Sequence, residues 1–196
     1  MNPKFPTESA HESGTEDADA PNSFSIESID TWLFDLDNTL YPPECNLFSQ
    51  VDWRMTFWIS DEMALPKEEA RTLQKDLFRK HGTTLRGLMT EHGIDPHAFL
   101  SYVHDIDYTP VPADGAMTEV LRRLPGRKII FTNGTVRHAE AVLDRLGARD
   151  LFDDIFDIVG ADFIPKPDPR PYDQVIDLHG IDPATTIMVE DMAKNL

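Results

Sequence analysis

Four short apolar runs, each bounded by polar residues and separated by segments of helical period, restrict this chain to few architectures. They are Trp32-Leu33-Phe34, Lys128-Ile129-Ile130-Phe131, Ile155-Phe156-Asp157-Ile158-Val159 and Thr186-Ile187-Met188-Val189. Brief apolar runs of this kind suit strands covered on both faces. Between them, helical periodicity runs through Met117–Leu124, Val136–Leu146 and Tyr172–His179. Gly147 and Gly180 follow the last two, where a left-handed residue closes a helix. Alternating strand and helix predict βαβ units, right-handed crossovers and a mainly parallel sheet, hence an α/β fold.

The segment from about Asn46 to Tyr108 breaks the alternation, because it carries no strand signal. A structureless loop of that length is implausible inside a domain. Apolar spacing at Leu47, Val51, Met55, Trp58 and Ile59, then Leu73, Leu77 and Phe78, then Phe99, Leu100 and Val103 predicts amphipathic helices. Pro110 and Pro112 mark the return to the main fold. Phe48, Trp53, Phe57 and Trp58 sit at roughly helical spacing and are expected in the insertion's core rather than in a base-stacking box. Residues 1–24 are acidic and polar, with Glu8, Glu12, Glu16, Asp17 and Asp19 against Lys4, and read as a disordered tail. The expected organisation is the tail at 1–24, an α/β core from 25–44 and 111–196, and a helical insertion at 45–110.

The formal net charge of −17 over 196 residues excludes the basic stripe that a nucleic-acid polymer requires. A small anionic substrate remains compatible, since a metal and a few local cations reverse the sign inside a pocket. Cys45 is the only cysteine, so neither an intramolecular disulfide nor a cysteine metal site is available, and a buried inert thiol is expected. No apolar stretch approaches the ~20 residues of a membrane span and the amino terminus lacks a signal peptide's apolar core. A cytoplasmic protein without a membrane partner is expected; the sequence assigns no oligomeric state.

The chemistry lies at the ends of the strands. Trp32-Leu33-Phe34 runs into Asp35-Leu36-Asp37-Asn38-Thr39-Leu40, with two carboxylates two residues apart. On an extended strand both project to one side, and their repulsion is relieved by a proton on one or by a cation between them. The second run ends in Thr132-Asn133-Gly134, whose hydroxyl, amide and following helix N-terminus suit a phosphate. The third is followed by Lys166 between Pro165 and Pro167, and the fourth ends in Glu190-Asp191. Each fragment alone is an ordinary turn or surface sequence. In a parallel sheet all four converge on one edge, where open α/β sheets bind ligands. Hard oxygen donors without clustered His or Cys favour Mg²⁺. With Thr132, Asn133 and Lys166 to hold phosphate oxygens and an aspartate to attack phosphorus, the set reads as a phosphoryl-transfer site.

In this order the motifs resemble those of the haloacid dehalogenase (HAD) superfamily over roughly residues 29–196. Asp35-Leu36-Asp37-Asn38-Thr39-Leu40 resembles its first motif and Phe131-Thr132-Asn133 its second. Lys166 resembles the third, and Val189-Glu190-Asp191 followed by Asn195 the fourth. The resemblance implies a Rossmann-like three-layer core with a helical C1-type cap. It makes Asp35 a nucleophile that forms an aspartyl-phosphate and also a Mg²⁺ ligand. Asp37 becomes the general acid/base and lends its backbone carbonyl to the metal. Asp191 becomes a direct ligand, with Glu190 a direct or water-mediated one. An ionised nucleophile beside a protonated acid is then expected.

His81-Gly82-Thr83-Thr84-Leu85-Arg86-Gly87-Leu88 and Val103-His104-Asp105-Ile106-Asp107-Tyr108 resemble segments of the superfamily's pyrimidine 5′-nucleotidase branch. So do Phe131-Thr132-Asn133-Gly134 with Arg137-His138-Ala139, and Glu190-Asp191-Met192-Ala193-Lys194-Asn195-Leu196. The resemblance implies a pyrimidine nucleoside monophosphate as substrate, with Arg86, Leu88 and His104 as specificity candidates. A sugar phosphate or phosphoglycolate is the alternative substrate. The family usually continues past the fourth motif with a helix and a further strand, so Leu196 reads as a truncation and an inactive phosphate-binding relic stays open. Carbon–halogen hydrolysis needs neither Asp37 nor a metal.

Overall fold

The apolar runs find one another as parallel strands. In the computed structural model, which describes residues 25–196, β1 (Thr31–Phe34), β2 (Arg127–Phe131), β3 (Asp154–Phe156) and β4 (Thr186–Val189) form one sheet in the order β3-β2-β1-β4. The expected tail at 1–24 lies outside the described residues. Strand alternation sends Trp32, Phe34 and Ile130 to one face. There they meet Leu121 of α5 (Gly115–Arg123) and Val142, Leu143 and Leu146 of α6 (Val136–Leu146). Leu33, Ile129 and Phe131 face the opposite way, against Val175 of α7 (Pro169–His179). The result is the expected three-layer α/β core with a parallel sheet.

Register decides where the chemistry emerges. Phe34 pairs with Ile130 and Val189, and Phe131 with Phe156, so the carboxyl ends of the strands are level. Asp35, Thr132, Asp157 and Glu190 therefore leave the sheet along one edge. The third run departs from expectation, since β3 stops at Phe156 instead of continuing to Val159. Its terminator is Asp157, a buried carboxylate that accepts hydrogen bonds from the backbone N–H groups of Val136 (2.9 Å), Val159 (3.1 Å) and Gly160 (2.8 Å). Those bonds fold the chain into a turn and tie it to the start of α6. At the other side of the sheet β4 pairs, among the described residues, only with β1, and its four residues are half-buried.

Four helices that follow β1 build the insertion: α1 (Leu47–Glu62), α2 (Lys67–His81), α3 (Thr84–His92) and α4 (Pro96–Val103). Their apolar faces bury Val51, Ile59, Leu77, Leu88, Phe99 and Val103 around a separate core, into which Ile158 from the loop after β3 also inserts. At Gly87 of α3 a Cβ would stand 2.7 Å from Leu77 Cβ, so only a glycine lets α2 and α3 come this close. Among the described residues no helix is long and apolar enough to cross a membrane.

Two expectations about side chains fail here. Trp58 packs edge-on against Phe99 in the insertion's core, with ring centroids 5.1 Å apart, but Phe48 and Trp53 are 51% and 52% exposed. The buried stripe of α1 runs through Leu47, Val51, Thr56 and Ile59, and the other two rings fall outside it. Trp53 is shielded instead by the Arg71 guanidinium, 4.9 Å from its ring centre. Cys45 is half-buried against the main core rather than enclosed.

A polar knot joins α1 to α2. The Asp52 carboxylate accepts from Gln74 Nε2 and Lys75 Nζ, each at 2.7 Å, and pairs with Arg71 at 2.6 Å, while Gln74 Oε1 accepts the Thr56 hydroxyl at 2.5 Å. Burial works against the Asp52 charge, but the hydrogen bonds and charges of Lys75 and Arg71 outweigh it and hold the carboxyl below its usual range. A carboxylate whose folded pKa is depressed stabilises the fold above its unfolded value, near 3.9, and ceases to as pH falls through the folded value. Asp52→Asn should therefore lower the Tm at pH 7, and its deficit relative to the unsubstituted protein should narrow steadily in melts taken from pH 5 down to pH 3.

Candidate active site

Asp35 occupies the first position past β1, where its backbone N–H still donates to Val189 O at 2.9 Å. Beyond it the chain turns rather than extending to Asp37. Leu40 N–H closes onto Leu36 O at 3.0 Å, and Asn38 takes φ of +62°, a left-handed conformation that asparagine tolerates. Thr39 then links the first and fourth motifs: its hydroxyl donates to Asp35 Oδ2 at 3.0 Å and accepts the Asp191 N–H at 3.1 Å.

Lys166 lies at the centre of the strand ends, 3% exposed. Its three ammonium protons are all engaged, by Asp35 Oδ1 at 2.8 Å, Phe131 O at 2.8 Å and Glu190 Oε2 at 2.6 Å. Asn133 aims it, since Oδ1 of that residue accepts the Lys166 backbone N–H at 2.8 Å. Burial raises Asp35 to about 6 against the lowering influence of Lys166. Burial also opposes the Glu190 charge, yet the Lys166 hydrogen bond prevails and keeps that carboxyl low. Asp191 is pushed up by burial and by its hydrogen bond with Glu190. Asp35, Glu190 and Asp191 present carboxylate oxygens within 4.8 Å of one another, an arrangement able to receive a hard cation.

Asp37 has different company. Its Oδ1 accepts the Tyr41 hydroxyl at 2.5 Å and lies 2.7 Å from His138 Nε2. Burial by itself raises this carboxyl, but the charge and hydrogen bond of His138, with the Tyr41 bond, bring it to about 2. The expectation of a more acidic Asp35 and a proton-holding Asp37 is thus reversed in pKa order without a cation. Both carboxyls are desolvated, but Lys166 offsets less of that cost at Asp35 than His138 and Tyr41 do at Asp37.

Thr132, Asn133 and Gly134 form the turn into α6. Thr132 Oγ1 accepts the Gly134 N–H at 2.9 Å, and Thr135 caps the helix by accepting from His138 N–H at 3.3 Å. Both aspartates, Thr132, Asn133, Lys166, Glu190 and Asp191 border one cavity of about 460 Å³ beneath the inserted helices. Its roof is largely apolar, with Phe48, Val51, Phe99 and Val103.

The specificity candidates divide. His104 borders the cavity. Arg86 does not; it points to Asp168, at 3.9 Å, and Leu88 is sealed in the helical core with no exposed surface. The segment holding them reaches the cavity through Gly82, Thr83, Thr84 and Leu85 instead, because α3 starts at Thr84 and its helical turn carries the later residues away. Sequence reasoning missed Thr39, Tyr41 and the partnership of His138 with Asp37. A trace of the last was available: His138 begins the stripe His138, Val142, Leu146 on the buried face of α6, an odd place for an imidazole without a partner.

The haloacid dehalogenase-like hydrolase family model matches residues 29–196, and the chain belongs to that family. Phosphate metabolism protein 8 of Saccharomyces cerevisiae is 28% identical over a match that covers 71% of this chain and 48% of that protein. The chain thus matches about half the length of that relative. A HAD phosphatase from Thermococcus onnurineus shares the fold, at 20% identity, 85% of this chain, 79% of that chain and a TM-score of 0.55. A dehalogenase structure shares it too, at 20% identity, 86% and 79% coverage and a TM-score of 0.50.

Removing the ammonium should expose what it holds together. Lys166→Met leaves Asp35 and Glu190 facing each other in a buried site, and breaking a buried pair on one side costs about 3–5 kcal/mol. Urea unfolding at pH 7 should show a loss of that order, with less than half of it in the Lys166→Met/Glu190→Gln double variant.

Proposed function

We propose that the protein is a Mg²⁺-dependent phosphomonoesterase that hydrolyses pyrimidine nucleoside 5′-monophosphates through an aspartyl-phosphate on Asp35. The observation that carries the reading is the division of labour between two aspartates in one cavity. Asp35 lies against Lys166, and Asp37 has its own donors in Tyr41 and His138. A carbon–halogen hydrolase would need the first aspartate only. The name of the yeast relative, which ties that protein to phosphate metabolism, points the same way.

In this mechanism Asp35 attacks phosphorus and the ester P–O bond breaks. Its electron pair goes to the departing oxygen, which takes a proton from Asp37. Asp37 then accepts a proton from the water that attacks the phosphoaspartate, and phosphate leaves with Asp35 restored. Lys166 gives one of its N–H groups to a phosphate oxygen, exchanging a protein acceptor for a substrate one. Thr132 and the amide groups at the start of α6 hold further oxygens. Mg²⁺ held by Asp35, Glu190, Asp191 and the Asp37 carbonyl would supply charge neutralisation and favour the ionised form of Asp35. The 460 Å³ volume and apolar roof favour a nucleoside monophosphate over phosphoglycolate, which would leave most of the cavity unfilled.

The test is phosphate release from UMP, CMP, dTMP, AMP, GMP and an aryl phosphate, with Mg²⁺ and with EDTA. Release that depends on Mg²⁺ and prefers the pyrimidine nucleotides is the expected result. Activity on the aryl ester alone would remove the substrate assignment, and no release would return the protein to the non-catalytic reading. Asp35→Asn should lower kcat more than ~10³-fold while cooperative unfolding persists; turnover near the original level would place the nucleophile elsewhere.

A further inference from the structure

The imidazole of His138 is held on every side, yet the phosphatase mechanism gives it no task. It is 1% exposed in the first turn of α6. Nε2 meets Asp37 Oδ1 at 2.7 Å. Nδ1 meets the Tyr108 hydroxyl at 3.1 Å, and that hydroxyl lies 2.8 Å from His104 O. Tyr108 has one proton and the carbonyl can only accept it, so the phenolic oxygen accepts from His138 Nδ1–H. The His104 ring stacks on the His138 face, with centroids 4.6 Å apart and planes 19° apart. Along the edge, a Cβ at position 134 would come within 3.0 Å of His138 Cδ2, so Gly134 provides the space that the ring occupies. Two of these constraints, His104 and Tyr108, lie on the return from α4, the last helix of the insertion.

We infer that His138 is a positioning residue for Asp37, and that Tyr108 and His104 hold it so that the docked helical insertion sets the aim of the acid. The inference rests on the phosphatase reading. With Nδ1–H given to Tyr108, the 2.7 Å contact of Nε2 with Oδ1 fixes the rotamer of the Asp37 carboxyl and leaves the acid proton to be carried on Oδ2. Oδ2, the oxygen that neither Tyr41 nor His138 engages, is left to meet the departing ester oxygen. His104 keeps the stack intact, because burial first and the neighbouring His138 second bring it down to about 3, so it stays uncharged against that face.

A structural histidine and a positioning one differ in leaving-group dependence. Protonation of the departing oxygen matters for a basic phenolate and little for p-nitrophenolate. Phenyl phosphate and p-nitrophenyl phosphate have nearly the same shape, and kcat/KM reports the step up to phosphoenzyme formation, where the ester bond breaks. In His138→Ala, kcat/KM for phenyl phosphate should fall ~10²-fold, the lower end of general-acid contributions, and that for p-nitrophenyl phosphate less than about fivefold. His138→Gln, which can still present an N–H near the Nε2 position, should recover part of the phenyl phosphate rate. Tyr108→Phe removes one hydroxyl from a half-buried ring and should show the same bias at smaller amplitude. The Tyr108→Phe/His138→Ala double variant should be no worse than His138→Ala, because Tyr108 acts through the imidazole.

Equal losses on both esters, or no loss on phenyl phosphate, would overturn the inference while leaving the phosphatase reading intact. Release from neither ester by the unsubstituted protein with Mg²⁺ would overturn both. Should His138→Ala fail to fold, the ratio of the two esters in Tyr108→Phe decides: an unchanged ratio overturns the inference and a biased one supports it.

Discussion

One ammonium group ties together the edge on which everything else depends. Lys166 Nζ bonds to the residue after β1, to the last carbonyl of β2 and to the residue after β4. Three strands that the sheet holds side by side are thereby held at their ends as well. Without a cation in that place, Asp35 and Glu190 would be two buried carboxylates in close approach, an arrangement that costs several kcal/mol per uncompensated ion. With every proton of Lys166 engaged and Asn133 fixing its backbone, the ammonium has little freedom, which is how a flexible side chain comes to act as a fixed charge.

The second constraint is the meeting of insertion and core. Their contact is built from a few specific intrusions: Ile158 of the core enters the helical cluster, and His104 and Tyr108 of the insertion reach His138. Asp157 is responsible for the first of these. By ending β3 and drawing the chain into a turn, it sends Ile158 towards the helices and anchors the start of α6 at the same time. One buried carboxylate thus sets the positions of both the cavity wall and the helix that carries His138.

The parts of this arrangement that were legible in sequence share a property: they follow from local pattern. Short apolar runs, helix-closing glycines and polar clusters at run ends are contiguous, and the parallel sheet, the levelled strand ends and the convergence of Asp35, Thr132, Lys166 and Glu190 follow from them with few alternatives. The readings that failed needed information from another segment. Phe48 and Trp53 look like core residues by spacing alone, yet the buried stripe of α1 is chosen by where α2 and α4 lie. Arg86 and Leu88 belong to a segment that reaches the cavity, but the phase of α3 turns both away from it.

The same division applies to the chemistry. Sequence alone determined which groups stand at the sheet edge, because side-chain identity and strand termini are written along the chain. The tertiary structure decided which aspartate holds a proton more readily. Asp35 and Asp37 are two residues apart and chemically identical, but one lies beside Lys166, and the other receives Tyr41 from four residues on and His138 from 101 residues away. Protonation depends on burial and on donors brought in by folding, and neither can be read from the two letters that separate them.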